Sequence, residues 1–510
     1  MLYFRAPSPG VDETGFSVFE RLGRATGVAA AVTAALLTLT TAPASAGALP
    51  PANPYLGPVG TATMHGDAES SDATPFPGPG TGDIRADFHE QAAACPTILQ
   101  GADGLPQALC TKIIDRAPKV LLLDPNSGDT LAALDLTKGS LLGGVYAYLD
   151  DQDRMVTVDG SGKLLRIKHE RGGSGWRVFI DSEVDVTQAV TGHCGGNGCD
   201  AVSSVMPDFD GRVWFATDNA AAGYVGLDGV ARSIVLGPGE TVANSISTAP
   251  EGVSIATTHA LYQLGVDGAG NPRVLWRQPY DRGPARKPGQ LSWGTGATPT
   301  FFGPGSGTEY VAITDNAAPK ENLLVFETAT GRQICATPAV DGTENSPIGS
   351  GSSLYVASTY GYPYPQLPAD AGPSQPASAT FTGGMTRIDV TGSGCTVVWT
   401  NQVPSAAVPR LSVADGKIYT VTRRSLLDTG TAGTGSSGSS SGSGLGTGSA
   451  GNPTDTYKLA VIDAATGRIE SERFMGGTPI HDTLQMVGTI APGRVQYQGT
   501  MTGLFRITPR

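Results

Sequence analysis

The sequence predicts an all-β fold, a β-propeller of eight four-stranded blades, on three observations. The first is composition. The chain has 510 residues, 70 of them Gly and 37 Pro, with 16% charged residues. That is too apolar for a disordered chain and too rich in turn formers for a helical one. The second is pattern: short runs of Val, Ile, Leu, Tyr and Thr recur between Gly, Pro and Asp clusters, with no long segment of 3.6 period. The third is a repeated phrase. An apolar run enters an acid-opened turn that closes on Gly, and a second run leaves it. The phrase occurs at Leu323–Thr337 around Glu327 and Gly331, at Val120–Leu136 around Asp124 and Gly128, and at Leu459–Phe474 around Asp463 and Gly467. Asp or Glu opens such a turn by accepting backbone N–H bonds, and Gly tolerates the positive φ that ends it.

Taken in order, residues 47–93 read as an extended N-terminal arm, rich in Pro, Gly and Asp, that packs on a body formed by residues 94–510. The body divides into units of about 40 to 75 residues, the size of propeller repeats. Each unit's first turn is marked by Gly104, Gly211, Gly252, Gly307, Gly351, Gly416 or Gly493, with Gln152-Asp153 in the remaining place. Seven blades is the alternative count. In the seventh unit a Gly/Ser-rich tract at 429–452 separates the second and third strands, as an insertion on one face. The eighth unit shows only three strands, near Thr483–Val487, Arg494–Gln498 and Leu504–Thr508. An open blade edge invites aggregation. The N-terminal arm is therefore expected to supply the missing outer strand and close the ring.

Residues 1–46 read as a signal peptide. Arg21 and Arg24 precede an apolar run from Val28 to Leu39, and Ala44-Ser45-Ala46 follows. The run is short for a membrane span; an uncleaved anchor is the alternative, and the start codon stays open. The expected location is extracellular, with no stable membrane anchor. Formal net charge is −12, which argues against nucleic acid as a partner. The six cysteines allow 15 pairings. Disulfides are expected in an exported chain, with Cys95–Cys110 and Cys194–Cys199 as local pairs and Cys335–Cys395 left over. No spacing supports a zinc site.

The acid-x-x-Thr-Gly phrases, together with Trp276 and Trp399 late in their blades, resemble the repeats of pyrroloquinoline-quinone-type propellers. The resemblance covers parts of three blades. It implies the fold, and it implies pyrroloquinoline quinone or calcium as the group such a face would take. The docking repeats of those enzymes carry a Trp shortly after Thr-Gly. Here Arg332-Gln333-Ile334-Cys335 and Arg468-Ile469-Glu470-Ser471 stand there, and Cys194 and Cys199 are not adjacent. On the residues alone no cofactor is expected.

Sites on propellers gather on the face shared by the loops between blades and the loops between second and third strands. Asp218-Asn219 and Asp315-Asn316 each follow a second strand there, and Thr257-Thr258-His259 takes the same place in the fourth blade. They could bind a cation or polyol through oxygen, or simply be good turn chemistry. His193 and Asp200, flanking the Cys194–Cys199 loop, His481-Asp482 and Glu344-Asn345 enter blades on that face and are candidates for acid–base chemistry. His65, Asp67, Glu69 and Asp72 form the densest group of ligand types, on the arm. Arg282, Arg286 and Lys287 read as a solvated basic loop. The leading expectation is a monomeric extracellular binding or scaffold propeller for an unidentified glycan or protein. The alternative is a quinoprotein-like oxidoreductase or a propeller lyase.

Overall fold

The computed structural model describes residues 49–138, 146–191, 200–368, 371–425, 454–477 and 479–510. The signal-peptide reading, His193, the Cys194–Cys199 pair and the Gly/Ser tract lie outside the described residues.

The chain forms eight sheets of four antiparallel strands. Blade one is Ala93–Gln100, Pro106–Lys112, Pro118–Leu123 and Thr130–Asp135. Blade two is Tyr148–Leu149, Met155–Val158, Lys163–Gly172 and Gly175–Asp185. Blade three is Val202–Pro207, Val213–Thr217, Ala221–Val225 and Ala231–Val235, after a five-residue helix at Thr187–Thr191. Blade four is Ile246–Ala249, Gly252–Ala256, Ala260–Val266 and Pro272–Pro279. Blade five is Thr300–Phe302, Tyr310–Thr314, Glu321–Glu327 and Gln333–Val340. Blade six is Ile348–Ser350, Ser353–Ala357, Met385–Thr391 and Gly394–Asn401. Blade seven is Arg410–Ser412, Lys417–Ser425, Asp455–Asp463 and Ile469–Gly477, with Ala73–Thr74 parallel to its innermost strand. Blade eight is Gly488–Ala491, Val495–Gly499 and Gly503–Pro509, and its outermost strand is Ile84–Glu90, antiparallel to Gly503–Pro509. Its innermost strand thus begins after the Thr483–Val487 stretch expected from sequence.

The alternation within each strand decides what packs where. Innermost strands are mostly buried, while outermost strands such as Thr130–Asp135 and Gly394–Asn401 are half-buried or exposed. The apolar core is a set of layers between neighbouring blades. Blades three and four share Met206, Trp214, Ile246 and Ile255. Blades eight and one share Ile98, Leu121, Tyr497 and Leu504, so the ring returns on itself. Each blade therefore buries apolar side chains against its neighbours.

The first-turn glycines behave as their positions require: all seven, and Asp153, have positive φ. Two of the three acid-opened turns do likewise, while the Glu327 side chain accepts the Thr330 hydroxyl instead of an amide. Asp124 Oδ1 accepts the amides of Asn126 and Ser127 at 2.8 and 3.0 Å, and Asp463 Oδ1 accepts that of Thr466 at 2.9 Å. Their closing glycines have a second duty. A Cβ on Gly331 would stand 2.7 Å from the indole of Trp276, and one on Gly467 would stand 2.5 Å from that of Trp399. Each Trp comes from the outermost strand of the preceding blade, and its Nε1 donates to a carbonyl of the turn: Thr328 at 2.8 Å, Ala464 at 3.1 Å. His89 takes the same place over Gly128, between blades eight and one. Blades five and six are joined instead by the Cys335–Cys395 disulfide, and Cys95–Cys110 bridges the first two strands of blade one. No helix among the described residues is long and apolar enough to cross a membrane.

Candidate functional site on the axis and the loop-rich end

The arm does more than lie on the body. Residues 60–74 are buried throughout and lie at the centre of the ring, against the innermost strands. Their carbonyls accept amide bonds from the inner region of blade after blade. Gln100 donates to Thr61 (3.1 Å), Leu149 to Ala62 (2.8 Å), Thr248 to Ala68 (2.8 Å), Phe301 to Glu69 (3.0 Å), Gly349 to Ser71 (2.9 Å), Leu411 to Asp72 (2.9 Å) and Val413 to Thr74 (2.9 Å). Inner strands facing an open channel would leave these donors to water. Here the chain's own backbone takes them. Gly66 allows the path: a Cβ there would meet the Ala73 carbonyl at 2.6 Å and Arg410 Nη1 at 2.7 Å.

The arm's ligand-type side chains therefore end in the interior. His65 Nδ1 contacts both oxygens of Asp72, at 3.1 and 3.0 Å. Asp67 accepts the Ser71 amide at 2.9 Å and the Ser71 hydroxyl. Arg410, fully buried, stands 3.6 Å from Asp72 and donates to the carbonyls of Met64 and Gly488. Neither carboxylate oxygen of Glu69 has a partner. Burying charge is costly unless it is paired. Burial pushes the Asp67 carboxyl up to about 6, against the lowering effect of Ser71 and Arg410. It pushes Glu69 further in the same direction, helped by Asp67.

At the loop-rich end, the acids stitch loops together. Asp200 accepts the Thr217 hydroxyl at 2.6 Å and the amides of Ala201 and Asn219 at 2.9 and 3.1 Å. Glu240 repeats the stitch in blade four, accepting the Thr257 hydroxyl at 2.5 Å, the Tyr262 hydroxyl at 3.0 Å and Arg277 at 2.7 Å. Asp218 continues from Thr217, half-buried, beside the exposed Asn219. Asp315 is spent on its own turn, accepting the Ala317 and Asn322 amides. Asn316 donates to the carbonyls of Arg282 and Ala285.

Asn345 reaches across to Gln485 (3.1 Å), while its neighbour Glu344 accepts the Leu291 amide at 2.9 Å. Burial raises the Glu344 carboxyl to about 7. His481 sits elsewhere, packed on the rings of Phe88 and Phe505 in the outer strands of blade eight, with burial holding its imidazole below its usual range. Asp482 turns to Arg423 at 3.1 Å and to the Tyr362 hydroxyl. The structure thus joins Asp200 with Asn219, and Asn345 with Gln485, but gives His481 apolar company.

Two features of this end escape sequence reasoning. The Pro-rich loop of blade six crosses it: Tyr362 meets Asp482, Gln366 accepts from Arg116 of blade one, and the Gly372 carbonyl accepts from Arg286. Arg286 and Lys287 are also buried, at 5% and 6% exposure, correcting the expectation of a solvated loop. Lys287 lies 3.6 Å from the fully buried Glu321 and donates to the Ala317 carbonyl at 2.6 Å. The hint in sequence was Glu321, an acid bordering the apolar run Leu323–Phe326.

No family model matches the chain, and no curated protein matches it. Among solved structures, a europium-containing methanol dehydrogenase is similar over 88% of this chain and 98% of its own, at 9% identity and a TM-score of 0.53. The quinohemoprotein alcohol dehydrogenase of Comamonas testosteroni is similar over 89% and 81%, at 11% identity and a TM-score of 0.52. BamB of Moraxella catarrhalis is similar over 70% and 93%, at 12% identity and a TM-score of 0.39. The chain is an eight-bladed propeller with the fold seen in these two dehydrogenases.

The centre of the ring does not fit the quinone as it stands. Pyrroloquinoline quinone is a planar tricarboxylate that needs axial room and uncommitted cations. Residues 60–74 occupy the axis, Arg410 is bound to Asp72 and two carbonyls, and Arg423 is bound to Asp455 and Asp482. Among the described residues no three His, Cys, Asp or Glu side chains converge where a metal ion could sit.

Proposed function

We propose that this chain is an exported, non-catalytic binding or scaffold propeller that meets an extracellular glycan or protein as a monomer. The observation that carries the proposal is the axial segment: residues 60–74 accept the inner blade amides and fill the place where a propeller enzyme would hold its reacting groups. The acids at the loop-rich end serve loop-to-loop bonds, which makes a rigid presenting surface. Two disulfides suit an oxidising compartment.

One observation favours the second reading, a quinoprotein-like oxidoreductase or lyase at the loop-rich end. Glu344 is held near pH 7, where a general acid or base works best. Incubation of the purified protein with pyrroloquinoline quinone and calcium separates the two. The binding reading expects no absorbance change, no dye reduction and no rise in melting temperature, together with retention on cell-wall glycans or a partner protein that survives His481→Ala. Quinone-dependent dye reduction would sink it.

A further inference from the structure

The long connection from blade four to blade five places Arg282 and Trp293 beside His259, at the loop-rich end. The guanidinium lies 4.3 Å from the Trp293 ring centroid, and the indole Nε1 donates back to the Arg282 carbonyl at 3.0 Å. Trp293 is nevertheless 41% exposed. Arg282 Nη1 donates to His259 Nε2 at 2.8 Å, so that nitrogen carries the lone pair and Nδ1, 3.0 Å from the Thr258 hydroxyl, carries the proton. Burial and the Arg282 charge both hold His259 below its usual range, consistent with a neutral ring.

The rest of the guanidinium has bonding capacity left. Nη2 makes only a 3.4 Å contact with the Trp293 carbonyl, while Nε is buried without a partner. Neighbouring Asp281 turns to the Gly283 amide at 2.8 Å. Lys287 is balanced by Glu321, and Arg286 spends its donors on the Lys287, Gln290 and Gly372 carbonyls, whereas Arg282 makes no ion pair among the described residues. A chain of net charge −12 has carboxylates to spare, yet none is paired here. Nη2, on the exposed side of the group, can donate to an oxygen of an anion, and an exposed indole beside it suits the apolar face of a sugar ring.

We propose that Arg282, positioned by His259 and Trp293, is an anion-binding site that takes the carboxylate or sulfate group of an acidic ligand. The proposal deepens the binding reading by naming the ligand's charge. The test titrates the full chain, at constant ionic strength, with sodium sulfate as a free anion and with trigalacturonate as a sugar-borne carboxylate, reading tryptophan fluorescence. A saturable change that is abolished in Trp293→Phe, weakened at least about tenfold in Arg282→Gln and partly kept in Arg282→Lys supports the site, since one ion-pair contact of about 1.4 kcal/mol is a tenfold effect. A stronger response to trigalacturonate assigns a saccharide source, and an equal one a free anion. No saturable response to either probe below about 10 mM, weaker than any useful site, overturns the proposal. So does a response unchanged in Arg282→Gln. Melting curves of the variants show that each is folded. Failure here leaves the glycan and partner retention experiment unaffected.

Discussion

Replacing Asp67 with Asn should remove a pH dependence that the axial segment imposes on the whole fold. Asp67 is buried, and its carboxyl is raised from 3.8 to about 6. The folded state therefore holds this proton more tightly than the unfolded chain does. Its contribution to stability is fully present below pH 3.8 and is lost as pH rises through about 6. A shift of roughly two units corresponds to about 3 kcal/mol. The imidazoles of His259 and His481, held below their usual range, act in the opposite sense, losing stability as pH falls. They are common to both proteins and cancel in the difference. The assay is urea unfolding of wild type and Asp67→Asn at pH 4.5 and pH 8. The variant forfeits an acceptor for Ser71 at both values, but relative to wild type it should gain about 2 kcal/mol between the first pH and the second, since the unfolded carboxyl is already mostly ionised at pH 4.5. An identical gap at both pH values would refute the reasoning and show that the segment does not bury this acid in solution.

Other outcomes follow from single contacts. Trp276→Ala and Trp399→Ala should each cost about 3 kcal/mol, because a docked indole is lost from a seam; calorimetry that finds less than about 0.5 kcal/mol, the range of ordinary surface changes, would contradict the docking role. Glu344→Gln should raise the melting temperature at pH 8 and change it little at pH 5, since a carboxyl held up at about 7 destabilises the fold only when ionised. Replacing both Cys335 and Cys395 with Ser opens a cross-link spanning 60 residues and should cost about 2–4 kcal/mol in denaturant unfolding.

The architecture was legible because its signals are local. An acid-opened turn closing on Gly331 or Gly467 announces itself in five residues, and eight first turns set the count. The docking was not, because it joins distant residues. Trp276 belongs to Gly331, 55 positions on, so a search for Trp after each Thr-Gly looks in the wrong blade. The arm's fate was hidden for a related reason. His65, Asp67, Glu69 and Asp72 look like a surface cluster by composition, since acids are seldom buried. Only the row of inner-strand amides awaiting acceptors, invisible in sequence, explains why a polar segment enters the axis. The burial of Arg286 and Lys287 depends likewise on Glu321, Glu344 and the Pro-rich loop meeting them from other blades.

The central claim is that residues 60–74 fill the propeller axis. Amide hydrogen exchange tests it most directly, read at Gln100, Leu149, Thr248, Phe301, Gly349 and Leu411, whose N–H groups donate to the segment's carbonyls. Protection at these six amides matching that of the most protected interblade strands is the predicted result, because they should open only with the ring. Exchange at the rate of exposed loops, with the outer strands still protected, would contradict the account and place the segment outside the axis.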